Sequence, residues 1–353
     1  MDKNRQEGSP RKLPTIYDIA KAANVSPGTV SRVINRVGYV KSSTRDRVTQ
    51  VIADLKYVPN RAARSLKNKR TNIICLAFPE SDNPFFFSMI HAVQGIVQEH
   101  GYSLMIYHTG GKTEEEIKIM QLMNERIADG LLLINFNYSE EHFKVIRRIQ
   151  CPLVLSSLCV SPYGGNDTDL FDYVGIDVRQ AMYMAVSHFF HQGHTNIALI
   201  GGDRSICVFR ERYEGYCSAF AERSIPVNQD NCMFGGYNQE AGYRSAMEIL
   251  ELPERPTAIC VINDVTAIGA VMALREKGVR IPEDIAIVSL DNTSYAQCQT
   301  PPLSSIHMAQ TELGACMARF LLERINGDDS PPKKIIYQPK LITRESSRRI
   351  IWH

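Results

Sequence analysis

The stretch "VSPGTVSRVINR", residues 25–36, gathers hydroxyl, guanidinium and amide groups onto one short run. Thr29 and Ser31 can bond phosphate oxygens, and the two-pronged donor of Arg32 fits the edge of a guanine. A second set is scattered far along the chain: Asn83, Phe85, Phe86, Arg212, Asn263, Asp264 and Asp291. Amides, carboxylates and a guanidinium can donate to and accept from vicinal hydroxyls, and aromatic faces suit a sugar ring. A buried polar group left unpaired would reject the wrong ligand.

The first set needs a rigid short helix. Ser26 can cap it, Pro27 fits the first helical position where its missing N–H costs nothing, and Gly28 keeps the first turn narrow. The backbone can then approach a polyanion closely, with N–H groups at the helix start facing a phosphate. Val30, Val33 and Ile34 recur at helical spacing and pack back onto "TIYDIAKAA", whose apolar face is Ile16, Ile19, Ala20 and Ala23 with Thr15 as cap. Asn24-Val25 makes the turn between them. "SSTRDRVTQVIADLKY" adds a third amphipathic helix through Val48, Val51, Ile52 and Leu55. Two short helices at a sharp turn form a helix-turn-helix, whose second helix enters a major groove.

Charge agrees with that assignment. Residues 1–70 hold sixteen Lys/Arg against five Asp/Glu, a net of +11, whereas the rest holds 24 against 33, a net of −9. A basic head on an acidic body suits a polyanion at one end and a different task at the other. After Pro59, the run "NRAARSLKNKR" gives a short helix capped by Asn60 that is marginal alone. Two copies on DNA can pair through Ala62, Ala63 and Leu66 over the minor groove, with Leu66 wedged between base pairs.

"TIYDIAKAANVSPGTVSRVIN" followed by "TRDRVTQVIADLKYVPNRAARSL" resembles the lactose-repressor (LacI/GalR) family of bacterial transcription regulators. The resemblance covers the headpiece and hinge nearly continuously. It implies base-reading positions at Pro27, Gly28 and Arg32 and an intercalating position at Leu66. Thr15, Tyr17, Ser26, Thr29, Ser31 and Asn35 complete the expected DNA-facing set in the headpiece, with Asn60 and Ala63 in the hinge. Some relatives carry a bulkier polar pair in place of Pro27-Gly28, which shifts base reading here toward Arg32 and the backbone.

From Thr71 onward, apolar runs such as "NIICLAF", "GLLLINF", "NIALIGG" and "IAIVSLD" alternate with amphipathic helical stretches. Repeated strand–helix units predict parallel sheets covered by helices on both sides. The rhythm restarts near residue 172, which predicts two doubly wound subdomains with ligand held at strand C-termini facing the cleft. The fold class expected is therefore an all-α helix-turn-helix headpiece plus an α/β body of two doubly wound parallel-sheet subdomains, which the resemblance implies is like the periplasmic sugar-binding proteins. Its divisions are a disordered leader over 1–13, the headpiece over 14–58, a hinge over 59–70 and an effector-binding and dimerisation domain over 71–342, followed by a tail over 343–353. Within the body, one subdomain takes about 71–171 plus 303–330, the other about 172–302 plus 331–342.

"NPFFFSMIHAVQ", "RERYEGY" and "VIND…SLDN" carry the body's resemblance to the family's sensor. By that resemblance, effector roles fall on Arg212, Asn263 and Asp291, and also on Asn83 and Phe85. Phe85 and Phe86 also read as core, and Asp264 as a helix cap. Met308 stands where many relatives carry glutamine, with Gln310 close but offset.

Other features point away from catalysis and metal. His188, His191 and His194 cluster in "SHFFHQGHTN" without an acidic or cysteine ligand nearby in sequence, and no metal or cofactor is expected. "GGNDTDLFD" lacks the spacing and terminal glutamate of a calcium loop. Neither a phosphate loop nor a nucleophile–base signature is present. Nine cysteines lie scattered without a C-x-x-C pair, as core fillers of a reducing compartment. With no secretory leader or membrane-spanning run, a cytoplasmic protein is expected. The expectation is a homodimeric repressor that binds a near-palindromic double-stranded operator under control of a sugar-like effector. The tail "TRESSRRIIWH" lacks the leucine heptads of a tetramer zipper. A phosphocarrier protein as the signal, or a sugar-processing enzyme fused to a DNA-binding head, are the alternatives.

Overall fold

The computed structural model describes residues 14–58, 70–79, 82–157 and 170–348. The chain divides into two compact units, Met1–Thr71 and Asn72–His353. The expected leader (1–13), most of the hinge with Asn60, Ala63 and Leu66, the bulk of the acidic loop, Cys159 and residues 349–353 lie outside the described residues.

The headpiece forms α1 (Ile16–Ala22), α2 (Pro27–Asn35) and α3 (Ser42–Asp54). Thr15 caps α1 reciprocally: its N–H donates to Asp18 Oδ2 at 2.8 Å, and Asp18 N–H donates back to its hydroxyl at 3.4 Å. Ser26 Oγ accepts from Thr29 N–H at 3.2 Å, with Pro27 in the first turn. Asn24 (φ 50°) and Arg36 (φ 54°) turn the chain at either side of α2. Ile19, Ala20, Ala23, Val30 and Val48 form the buried centre, with Val33, Ile34, Val51 and Ile52 packed around it. Leu55 departs from expectation: it is the residue that ends α3, not part of its regular turns, and it is exposed.

The body's first sheet contains β1 (Ile73–Phe78), β2 (Ser103–His108), β3 (Gly130–Asn135), β4 (Leu153–Ser157), β5 (Asp172–Ile176) and β11 (Lys334–Tyr337), in the order β11-β5-β4-β3-β1-β2. The second contains β6 (Ile197–Gly201), β7 (Cys232–Phe234), β8 (Ala258–Val261), β9 (Ala286–Asp291), β10 (Ser304–His307) and β12 (Lys340–Ile342), in the order β12-β10-β9-β8-β6-β7. Pairings are parallel apart from antiparallel β10–β12. Strands such as β3 are buried along their whole length because helices cover both faces.

Helices α4 (Pro84–Glu99), α5 (Thr113–Asn124) and α6 (Glu140–Ile146) follow the strands of the first sheet. Helices α7 (Val178–His191), α8 (Cys207–Glu222), α9 (Gln239–Leu250), α10 (Asp264–Glu276) and the short α11 (Ser294–Gln297) belong to the second, and α12 (Gln310–Ile325) packs against α4 and back onto the first. The sequence rhythm passes over β7, α9, α11, β11 and β12, and the strands among them are three or four residues long, too short to leave a pattern.

Strand placement corrects the expected division of the body. The restart near 172 holds as a rhythm, but β5 pairs with β4 and β11 in the first sheet, so the second subdomain begins at α7. Likewise β10 lies in the second sheet and β11 in the first, opposite to the division drawn at 303 and 331. The chain crosses between the subdomains three times, at 176–178, 307–310 and 337–340. Pairing between strands distant in sequence decides this, and local periodicity carries no record of it. Nor is the tail separate from 343: Ser346 and Ser347 are buried, and Ser346 Oγ donates to the Ile287 carbonyl at 2.7 Å.

Among the described cysteines, all are free thiols and five are buried. Burial lifts Cys75 to about 12, which keeps it an inert thiol filler. No helix among the described residues is long and apolar enough to cross a membrane.

Candidate functional site

In the headpiece, α2 presents a continuous polar surface. Gly28, Arg32 and Asn35 are exposed, and Pro27, Thr29 and Ser31 are half-buried at its margin. Ser26 Oγ and Thr29 Oγ1 lie 3.0 Å apart, and Asn35 Nδ2 donates to Ser31 Oγ at 3.2 Å. These bonds hold the short side chains against the helix and leave the Arg32 guanidinium as the group with reach. Thr15 and Tyr17 stand exposed at the start of α1, Tyr17 at 71%. A Cβ at Gly28 would meet only Ser26 Oγ, at 3.7 Å, which is ordinary contact. The fold of the headpiece therefore tolerates a side chain there.

In the body, strand ends from both sheets converge on one cavity. Asn83, Phe85, Phe86, Arg212, Asn263 and Asp291, six of the seven expected residues, line it. Asn83 and Asn263 do so as helix caps: Asn83 Oδ1 accepts from Phe85 N–H at 3.0 Å, and Asn263 Oδ1 from Thr266 N–H at 2.7 Å. The capping requirement fixes each amide at the point where a strand gives way to a helix. Phe85 and Phe86 are core residues as well as cavity walls, 2% and 1% exposed. Arg212 reaches from α8, with Nη1 donating to the Ile262 carbonyl at 3.1 Å. From the first sheet, Asn83 Nδ2 donates to Asp291 Oδ2 at 3.3 Å, a bond across the cleft.

Asp264 is not among the lining residues, nor is it the helix cap, a role Asn263 takes. Its carboxylate sits beneath the site and accepts from Ser289 Oγ (2.5 Å), Ser305 Oγ (2.8 Å), Thr293 N–H (2.6 Å) and Thr293 Oγ1 (2.8 Å). Burial pushes this carboxyl above its ordinary range, and the four hydrogen bonds draw it back toward ionisation. Asp264 ties β9, β10 and the loop after Asp291 into one body.

Three further residues line the cavity: Phe136, Val208 and Tyr237. Phe136 directly follows β3, so its strand-end position was the available signal. Val208 and Tyr237 lie in loop-to-helix segments without a motif. Phe136 and Tyr237 belong to opposite subdomains, and their rings run nearly parallel, 18° apart with centroids at 6.5 Å. The space enclosed is about 20 Å³, enough for about one water. Admitting a ring-sized molecule requires the subdomains to part. A wider groove of about 370 Å³ beside Asp172 and Arg324 is a structural clamp: that guanidinium already bonds Asp172 bidentately and three backbone carbonyls.

The histidines in "SHFFHQGHTN" are parted by their bonds, His188 Nε2 with Ser347 Oγ (2.8 Å) and His194 Nδ1 with Thr257 Oγ1 (2.9 Å). Among the described residues, no group of three potential ligands is placed to hold a metal ion. Met308 is fully buried, as its apolar side chain requires, and Gln310 is buried beside it.

Comparison with known proteins follows the same division. Residues 15–60 match the family described as bacterial regulatory proteins, lacI family, and residues 186–347 match the periplasmic binding protein-like domain. The HTH-type transcriptional repressor PurR of Pasteurella multocida is 34% identical over 335 residues, covering 95% of this chain and 98% of that protein. The PurR of Actinobacillus pleuropneumoniae is 33% identical over 340 residues, covering 96% and 99%. Among solved structures, the lac repressor dimer bound to operator and the anti-inducer ONPF superimposes with a TM-score of 0.82 at 25% identity, covering 95% of this chain and 99% of that one. The transcriptional regulator CelR in complex with cellobiose gives 0.71 at 27% identity, covering 95% and 100%.

Proposed function

The chain belongs to the lacI family of bacterial regulatory proteins and is a DNA-binding transcriptional repressor, not an enzyme, and from that premise we propose that it works as a homodimer in the cytoplasm, its hold on a near-palindromic operator set by a small molecule in the body cavity. The observation that carries this reading is the convergence of Asn83, Arg212, Asn263 and Asp291 on one hinged cavity between two subdomains. Ligand binding shifts the balance between open and closed arrangements. By linkage, the same free energy then appears in operator affinity.

Two ligand classes suit the cavity. The amides, the carboxylate and the guanidinium fit vicinal hydroxyls of a sugar. The parallel Phe136 and Tyr237 rings favour a flat heterocycle such as a nucleobase, because a planar ring between two aromatic faces gains about 1–3 kcal/mol of stacking. The stacked pair is the more discriminating feature, so the heterocycle is the first choice. The test is fluorescence anisotropy of the full-length protein on duplexes selected from a random pool. It is repeated with adenine, with cellobiose and with a purified phosphocarrier protein. A tenfold or larger shift of operator affinity by one addition identifies its class. Absence of any salt-sensitive sequence preference would overturn the whole reading.

At the DNA, Arg32→Ala should weaken operator binding by about 1–3 kcal/mol and relax preference at one base pair. An equal loss on all sequences would mark Arg32 as a phosphate contact. Gly28→Ala should leave the headpiece as stable or raise it by about 0.5–1 kcal/mol, since alanine suits a helix better. Operator affinity should nevertheless fall about tenfold or more, because the methyl group stands between the helix start and the duplex. Unchanged affinity in the same anisotropy assay would exclude close backbone approach at this position.

A further inference from the structure

Asp291 ends β9 in an unusual conformation. Its φ is 101°, and Asn292 follows at 51°, values that residues with side chains rarely adopt without support from their surroundings. Support comes from both subdomains. Behind the loop, Asp264 holds Thr293 by its N–H and its hydroxyl. From the first sheet, Asn83 meets the Asp291 carboxylate. Gln310 Nε2, also from the first-sheet side, donates to the Asp291 backbone carbonyl at 3.0 Å.

Gln310 is 4% exposed and is the first residue of α12, the helix that packs on α4. It follows directly on the 307–310 crossing, where Ala309 adopts φ 49°. An apolar side chain would fill this position without the cost of burying an amide, so the amide is retained for its bond. That bond joins the two subdomains at the backbone of a residue that lines the cavity.

We propose that Gln310 is a positioning residue for the effector. It holds the Asp291 carbonyl, keeps Asp291 in its left-handed conformation and so keeps the carboxylate turned into the cavity. Gln310 stands at the end of the 307–310 crossing, three residues after His307, the strand partner of Asp291, so the grip ties the effector carboxylate to the hinge between the subdomains. This rests on the reading of the cavity as the effector site.

The test compares full-length wild type with Gln310→Met, which keeps the volume and removes the donor, and Gln310→Lys, whose ammonium still donates. Hydrogen exchange at the amides of residues 291–293 is followed by mass spectrometry, and binding of adenine and of cellobiose by calorimetry. Exchange in Gln310→Met should quicken at least about tenfold at those amides, about 1.4 kcal/mol of lost protection, and whichever probe binds wild type should bind about tenfold more weakly. Gln310→Lys should restore both. A merely structural gap would not be repaired by returning a donor. Wild-type exchange rates in Gln310→Met, or failure of lysine to restore them, would overturn the proposal. Wild type that binds neither probe while exchange follows the expected pattern would count against the assigned ligand classes and leave the grip supported.

Discussion

Arg212→Met should cost about a hundredfold in effector affinity, about 2.8 kcal/mol, while the thermal midpoint of the ligand-free protein stays close to wild type. Methionine keeps most of the side-chain volume and gives up one bond within the protein, from the guanidinium to the Ile262 carbonyl. The greater loss falls on the ligand. Arg212 is 4% exposed and is the cation among the cavity's lining residues, and its Nε has no hydrogen-bond partner among the described residues. Hydrogen bonds from a charged donor in a dry site are worth about twice those between neutral groups. By linkage, the operator should lose its response to the effector in the same proportion. Calorimetric titration set beside a melting curve separates the outcomes. Full affinity in the variant would make Arg212 a strut for the strand end, and a collapsed midpoint would make the loss structural.

Gly269→Ala should be the most damaging single methyl group in the body. Helices α9 and α10 cross with backbone on backbone. A Cβ at Gly269 would stand 1.8 Å from the Gln239 carbonyl oxygen, and one at Gly242 would stand 1.9 Å from that of Thr266. Neither carbonyl can rotate aside as a side chain would, so the helices must move apart across their whole contact. Overpacking of this kind costs about 3 kcal/mol, more than the ~1 kcal/mol that alanine returns through helix propensity elsewhere. The net loss of about 2 kcal/mol should lower the midpoint in a calorimetric scan by roughly 4–8 °C for a unit of this size. A fall of less than about 2 °C would show that the helices can separate cheaply. Gly28, with its nearest atom at 3.7 Å, is the contrasting case within the same chain. Its smallness serves nothing in the headpiece itself, which is why its substitution is read out on DNA.

Much of the headpiece was legible because its determinants are local. A cap at Thr15 with Asp18 three residues on, Ser26 before Pro27, and apolar residues at helical spacing are read within a few positions of each other, and each has its partner in the structure. Leu55 failed only because it falls one residue past the end of its helix. The strand–helix alternation of the body was legible for the same reason. Five cavity residues were found because they stand where a strand gives way to a loop or a helix begins, which leaves a mark in sequence, whereas Arg212, inside α8, was found through the resemblance carried by "RERYEGY".

The sequence by itself therefore determined most of the elements, the family and the chemistry available at the strand ends. Only the tertiary structure decided which sheet β5, β10 and β11 join, since parallel partners are recruited from segments far apart in the chain. It alone separated Asn263, in the cavity wall, from its neighbour Asp264 beneath it, a difference set by the direction in which a buried helix start faces. And it alone brought Phe136 opposite Tyr237 and Gln310 onto Asp291, because contacts across a hinge depend on three crossings of the chain that no local pattern encodes.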